Sequence, residues 1–296
     1  MIEEKSEKKI KIGLPKGSLQ EHTFKIFRLA GFDIKILPRS YILNFDDSEI
    51  EGFLLRPQEI PKYVEEGKLD AGISGEDWIT ETKAKIIKVC DLKYAKKDIK
   101  KVKWVLAVPE KSEIKSIKDL EGKTISTEVV NIVKDYFKIK KIKVEIKFSF
   151  GATEVKPPRF ADAIVDLTET GTSLKAHNLK VLDTVFESSS VLLANKNSWQ
   201  DNWKKEKIRN LVILLKSAVE SEDIIGLATH VPKEKLAKVL KILPPWENPT
   251  IVRISGTNLY DVRFTSHRIA ARELLPKLKR MGCGGLVEFP LDKAIR

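Results

Sequence analysis

Hydrophobic positions along this chain recur with two different periods, and each change of period marks an element. Ile10, Ile12 and Leu14 alternate with their neighbours, which predicts a strand over residues 9–14. Leu19, Ile26, Phe27 and Ala30 follow at helical spacing, with Ser18 as the expected cap and Gly31 as the stop. Pro61 opens a further helix where its missing N–H is harmless, Gly67 ends it, and residues 69–74 read as a buried strand. Residues 104–108 form an apolar strand closed by Pro109. Residues 116–125 give a short capped helix, a turn at Gly122 and a strand. Val129, Ile132, Val133 and Tyr136 return to helical spacing. Val144, Ile146 and Phe148 alternate, residues 163–167 are another strand, and residues 191–194 are expected to carry the chain back to its first unit.

Strands separated by helices, twice over, predict two α/β lobes with a cleft between them. The expected boundaries are 1–103 with 185–221 for lobe I, 104–184 for lobe II, and 222–296 for a third unit. A long helix over residues 201–221 links them, with Ile208, Leu211, Val212 and Leu215 on one face. The third unit reads strand 224–229, helix 233–243, strand 250–254, strand 260–265, helix 270–281 and strand 286–289. That βαββαβ order is the ferredoxin-like plan, and by analogy of shape it is ACT-like.

Composition narrows the class. With 296 residues, 42% hydrophobic and 32% charged, the chain has room for two or three domains of a soluble globular protein. No apolar run reaches membrane-span length, and the first residues lack the apolar stretch of a secretory signal. Cys90 and Cys283 make neither a disulfide framework nor a metal-ligand spacing, which fits a reducing cytoplasm. The net charge of +12 is spread over the chain without a nucleic-acid-binding signature, so the expected partners are small polyanions, with no nucleic acid and no membrane. His22, His177, His230 and His267 are scattered and form no ligand pair.

Chemistry concentrates in residues 161–179, ADAIVDLTETGTSLKAHNL. An apolar strand ends at Asp166, a turn of Thr168, Thr170, Gly171, Thr172 and Ser173 follows, and an amphipathic helix begins. Such a turn aims backbone N–H groups and hydroxyls at one spot, which seats a phosphate. Asp166 fits a grip on ribose hydroxyls or on a metal-bound phosphate. A strand and a helix joined by a Thr-capped turn would give the same spacing.

The stretch DLTETGTSL resembles the phosphoribosyl-pyrophosphate loop of the ATP phosphoribosyltransferases, and five further blocks are similar to that family in order. They are GLPKGSL (13–19), LLRPQEIPKYVEEGKLDAGISGEDW (54–78), ISTE (125–128), GATEVKP (151–157), and a tail with ENPTIVRI (247–254) and KRMGCGGLVEFPLDK (279–293) that is similar to the long form's regulatory domain. The resemblance covers nearly the whole chain. It implies a two-lobed core like a type II periplasmic binding protein, carrying a C-terminal ferredoxin-like (ACT-like) domain. It implies attack of adenine N1 of ATP on C1 of phosphoribosyl pyrophosphate, with pyrophosphate leaving and Mg2+ held mainly through substrate phosphates. No nucleophilic Ser or Cys is needed for that displacement.

Carried over residue by residue, the resemblance implies that Asp166 and Asp162 meet ribose or Mg2+. Leu167, Thr168, Glu169, Thr170, Gly171, Thr172 and Ser173 would cradle the 5-phosphate. Lys16, Gly17, Arg56, Asp70, Gly75, Asp77 and Glu154 would contact ATP or phosphates, and His230, Thr250 and Gly285 would lie near a histidine inhibitor. A homo-oligomer, dimer to hexamer, without a separate regulatory subunit is implied as well. Three departures bear on single contacts: Ser18 where many relatives carry Arg, Val129–Val130 for a Tyr-Pro pair, and His177–Asn178 for Asn-Gly. A solute-binding protein of the same fold is the alternative from another class, and it would require export.

Overall fold

The computed structural model describes residues 8–36, 40–92, 102–168, 171–244 and 248–295. The chain divides into two compact units, Met1–Val212 and Ile213–Arg296.

In the first unit, lobe I opens with β1 (Ile10–Pro15) and α1 (Gln20–Ala30). Three strands follow, β2 (Ile34–Ile36), β3 (Ile42–Phe45) and β4 (Ile50–Leu55), and then α2 (Ile60–Glu65). After these come β5 (Ala71–Gly75), α3 (Glu76–Thr82) and β6 (Ile87–Asp91). Lobe II contains β7 (Val102–Pro109), β8 (Thr124–Thr127), α4 (Val130–Lys140), β9 (Glu145–Phe148), β10 (Ala163–Thr168), α5 (Thr172–Ala176) and β11 (Leu179–Ser188). Then β12 (Ser190–Ala194) pairs with β5 and β6, which returns the chain to the first sheet. Helices α6 (Lys196–Gln200) and α7 (Asn202–Ser221) follow.

The first sheet has the order β2-β3-β4-β1-β5-β12-β6 and the second β11-β7-β10-β8-β9. Within them β1 is parallel to β4 and β5, and β8 is parallel to β9 and β10. All these parallel strands therefore deliver their carboxyl ends to one edge of their sheet, where ligands bind in such folds.

Local differences from the pattern have simple causes. Ser18 does not cap α1: Leu19 stands at the N-cap in helical conformation without a side-chain bond, and Leu19 is half-buried. The turn is made by Gly17, at φ +104°, whose carbonyl accepts the Gln20 N–H at 3.0 Å. Strands β2, β3, β6 and β11 escape the pattern because their alternation is weak, and β2 has no buried residue; β4 escapes it although Ile50, Gly52 and Leu54 alternate into the core. The core of α1 is formed by Ile26 and Phe27, each 1% exposed, worth about 1.5–3 kcal/mol apiece on burial.

The second unit holds β13 (Ile224–Pro232), α8 (Leu236–Leu240), β14 (Thr250–Arg253), β15 (Leu259–His267), α9 (Arg268–Arg280) and β16 (Gly284–Pro290). Its sheet order, β14-β15-β13-β16 with every pair antiparallel, is the ferredoxin-like arrangement. Val231, Val239, Val262, Leu274 and Leu278 form its core between sheet and helices.

Candidate active site

Lobe I brings two cations to the carboxyl edge of its sheet. Lys16 follows β1 directly and Arg56 follows β4. The Lys16 ammonium donates to the Tyr41 hydroxyl at 3.0 Å and lies 4.4 Å from the centre of that ring. The Tyr41 hydroxyl is held below its ordinary pKa by the Lys16 hydrogen bond first, then by the charges of Lys16 and Arg56. Arg56 is exposed and has no ion pair among the described residues.

Lobe II brings carboxylates, a lysine and the turn. Asp166 lies two residues from the end of β10 and accepts the Leu167 N–H at 2.8 Å. Its pKa is raised to about 6, chiefly by burial, with the charges of Glu154 and Glu128 adding and Lys156 opposing. Glu128, just past β8, is also pushed up by burial, opposed by Lys156 and Arg56. The Arg56 charge thus acts on Glu128 from the other lobe. The Lys156 ammonium donates to Ser149 Oγ at 2.5 Å and to Ser126 Oγ at 3.3 Å. Beside it lies a hollow of about 390 Å³ whose walls include Ser126, Lys147, Phe148, Val155, Lys156 and Phe160.

The described residues that flank the turn after β10 bond to one another and to Glu154. Thr168 Oγ1 accepts the Gly171 N–H at 2.8 Å, and Gly171, at φ +77°, is the residue before α5. Thr172 and Ser173 are exposed in the first turn of α5, and Ser173 Oγ donates to Glu154 Oε1 at 2.6 Å. That bond holds the Glu154 carboxyl below its usual range. Because α5 has only five residues, its dipole is small. Leu167 is 41% exposed at the strand end. Glu169 and Thr170, expected in the same turn, lie outside the described residues.

Other expected residues go elsewhere. Asp162 precedes β10, about 13 Å from Asp166 at ~3.3 Å per strand residue. Its carboxylate accepts the Thr124 N–H at 2.9 Å and faces Lys123 at 3.9 Å. Asp70 precedes β5 and is 5% exposed. It accepts from the Lys11 N–H at 2.8 Å, the Ser198 hydroxyl at 2.6 Å and the Lys204 ammonium at 2.7 Å. Both residues sit at amino ends, where they stitch strands together. Asp77 reaches the right edge but is 3% exposed, with Trp104 Nε1 and Ser188 Oγ each donating to it at 2.8 Å. Its pKa is raised by burial, against the pull of those two bonds. Gly75 is buried at the end of β5; a Cβ there would lie 2.0 Å from Asp77 Oδ1.

In the second unit, His230 and Gly285 meet: a Cβ on Gly285, which has φ +52°, would lie 2.7 Å from His230 Nδ1. Thr250 pairs with Arg263, whereas His230 pairs with Asp261, which pairs with Val252. Thr250 therefore lies two strands away, about 10 Å or more.

Glu128, Lys156 and Tyr41 are additions that the sequence reading did not single out. Glu128 and Lys156 lie inside the ISTE and GATEVKP blocks, so the signal was present, but only the sheet puts them beside Asp166. Tyr41 carried no local signal.

Comparison with known proteins agrees with this geometry. The sequence pattern of the HisG family, ATP phosphoribosyltransferase, matches residues 56–217, and that of the HisG C-terminal domain matches residues 222–293. The chain is 52% identical to an ATP phosphoribosyltransferase of Thermodesulfovibrio yellowstonii over 289 residues, 98% of this chain and 99% of that protein. It is 47% identical to one from Chlorobium phaeobacteroides over 286 residues, 97% of each. Among solved structures, a chain of the ATP phosphoribosyl transferase (HisG:HisZ) complex from Thermotoga maritima is similar, with a TM-score of 0.61 and 27% identity. The match covers 71% of this chain and 98% of that one. Conserved order of motifs, two-lobed fold and relatives matched over almost their whole length lead to one assignment: the chain belongs to the ATP phosphoribosyltransferase family.

Proposed function

We propose that the family's reaction, transfer of the 5-phosphoribosyl group of phosphoribosyl pyrophosphate to N1 of ATP, is carried by the crevice between Lys16 and Arg56 on one side and Asp166, Glu128, Lys156 and the 168–173 turn on the other. The observation that supports this reading is that Lys16 and Arg56 follow β1 and β4 directly while Glu128 and Asp166 stand at the carboxyl ends of β8 and β10. The N1–C1 bond forms as the C1–O bond to pyrophosphate breaks, and the bonding pair leaves on the pyrophosphate oxygen. Thr168, Gly171, Thr172 and Ser173 hold the 5-phosphate. Ionised Asp166 orients the ribose and supports positive charge at C1, with Glu128 beside it. Lys16 and Arg56 take the pyrophosphate, and the hollow beside Lys156 seats the adenine ring between Phe148 and Phe160. Asp166 and Glu128 offer the hard oxygen ligands that Mg2+ prefers, and among the described residues no group of three acidic, His or Cys side chains forms a metal cage. Mg2+ would accordingly be held mainly by substrate phosphates, supplying charge neutralisation of the leaving group.

Incubating the purified chain with ATP, phosphoribosyl pyrophosphate and Mg2+ should raise the ultraviolet absorbance of phosphoribosyl-ATP. Gly171→Val should abolish phosphoribosyl-pyrophosphate binding by calorimetry while the fold persists, because Val resists φ +77°. Unchanged affinity would remove the phosphate role of the turn.

The second unit, in our reading, binds histidine as feedback inhibitor near His230 and Gly285, with Thr250 completing the site only from a neighbouring copy in a dimer or hexamer. The Thermotoga chain is matched almost whole by 71% of this one, so this chain carries a further segment; that supports regulation without a separate subunit. Histidine titration with light scattering tests this, and no saturable binding at millimolar-order histidine would reduce the unit to an assembly module. A cytoplasmic location belongs to the same reading; no helix among the described residues is long and apolar enough to cross a membrane.

A further inference from the structure

Helix α3 belongs to lobe I by connection, since Glu76 follows Gly75 at the end of β5. Its side chains nevertheless bind lobe II. Asp77 Oδ2 accepts Trp104 Nε1–H of β7 at 2.8 Å, and the Ser188 hydroxyl at the end of β11 donates to Asp77 Oδ1 at 2.8 Å while accepting the Asp77 N–H at 3.1 Å. Trp78 meets the Trp104 ring edge-on, with centroids 5.8 Å apart. One turn further, the Glu81 carboxylate accepts the N–H groups of Asn131 and Ile132, capping α4 at 2.9–3.0 Å. The Asn131 side chain returns a bond to the Glu81 carbonyl at 2.9 Å. Asp77 and Glu81 on one face of this seven-residue helix, and Trp78 beside them, are thus fixed to the lobe that the helix does not belong to.

The crossing from β11 to β12 lies at the same spot. Gly75 pairs with Ser190, and the Glu76 N–H donates to the Ser189 carbonyl at 3.0 Å. Gly75 is glycine because a Cβ would collide with the Asp77 carboxylate folded back over it. Burying a carboxylate is costly unless donors surround it. Any tilt that drew Trp104 away from Asp77 would leave a buried charge short of a partner, so the inter-lobe angle sits in a steep well.

We infer that α3 is the pivot of the two lobes. It travels with lobe II, the chain bends at Gly75–Glu76 and at Ser189, and Asp77 is a positioning residue that sets how the Asp166 side faces Lys16 and Arg56. The kinetic part of this inference rests on the reaction site proposed above, while the pivot itself does not.

The test uses the full chain with two readouts. Paired spin labels on exposed positions, Glu21→Cys in α1 and Lys134→Cys in α4, report the inter-lobe distance in a Cys90→Ser, Cys283→Ala background. Asp77→Asn and Trp104→Phe should each broaden that distance distribution. Each should lower kcat about tenfold or more and leave KM for either substrate within about threefold, because one-lobe contacts survive and only their joint geometry is lost. The double variant should be no worse than the stronger single one. A core variant, Ile26→Val, chosen to cost similar thermal stability, should keep both the distance distribution and kcat. Should Asp77→Asn or Trp104→Phe fail to fold, Ser188→Ala and Glu81→Gln carry the same test. A distance distribution identical to the parent's in folded variants overturns the pivot. A broadened distribution with kcat unchanged keeps the pivot and overturns the role of Asp77 in positioning the reaction.

Discussion

At the amino ends of the parallel strands, Asp70 and Asp162 accept backbone N–H groups from neighbouring strands and face lysines. At the carboxyl ends, Asp166 and Glu128 have no ion pair among the described residues, and burial pushes both above their usual range. The same residue type, in the same sheets, is satisfied at one end and strained at the other. A carboxylate that holds strands together needs donors already in place. One that meets a ribose or a metal-bound phosphate, the role proposed for Asp166, must keep its oxygens available at a cost to the fold.

Asp166→Asn separates the two roles most strongly. Turnover should fall about 100-fold or more, in line with loss of one preorganised transition-state group. The melting temperature at pH 7 should stay level or rise, because an unfavourable buried charge disappears. Initial rates and thermal melts on one preparation check both halves, and turnover within a few fold of the parent would remove Asp166 from the chemistry.

Asp70→Ala should do the reverse. It leaves the Lys204 ammonium and the Ser198 hydroxyl without their acceptor, so stability should drop by about 3 kcal/mol, while kcat of the folded fraction holds. Denaturant unfolding with active-site titration measures this. A large loss of kcat with intact stability would put Asp70 at the reaction after all.

Titration sharpens the contrast next. Asp166 has a folded pKa of about 6 against 3.8 for an ordinary Asp, so between these values the folded chain binds more protons than the unfolded one. The contribution of Asp166 to stability therefore declines as pH rises from about 4 to about 6. Turnover should rise over the same window as the ionised form appears. Asp166→Asn should flatten the stability curve there, which melts at stepped pH would reveal.

The smallest expected effect is at Asp162. Asp162→Asn keeps an oxygen for the Thr124 N–H and loses a long pairing with half-exposed Lys123, so stability should change by no more than about 1 kcal/mol. Activity should stay within twofold in the same rate assay.

Much of the architecture was readable from pattern alone because its signals are local. Alternation at Ile10–Leu14, helical spacing at Ile132–Val133–Tyr136 and the cap at Ser116 each depend on a few adjacent residues, and the structure has a strand, a helix and a Ser116–Asp119 capping box there. The turn around Gly171 was equally legible, since glycine after a Thr-rich strand end announces a left-handed residue. The edge strand β2 was not, because an exposed strand lacks alternation to read.

Sequence by itself therefore determined most of the elements, the family and the glycine turn before α5, all of which are written in residues close together along the chain. Tertiary structure decided which carboxylates meet a neighbouring strand. Asp162, just before β10, and Asp166 within it are four residues apart, yet extension separates them by about 13 Å and gives one the Thr124 N–H of β8 and the other only the N–H of its own neighbour Leu167. Asp77 and Trp104, 27 residues apart, and Asp77 and Ser188, 111 apart, meet only because the fold packs α3 against β7 and the end of β11. Partners that distant leave no local trace, and burial, which raises the Asp166 pKa, is a property of the packed fold and of no single stretch of chain.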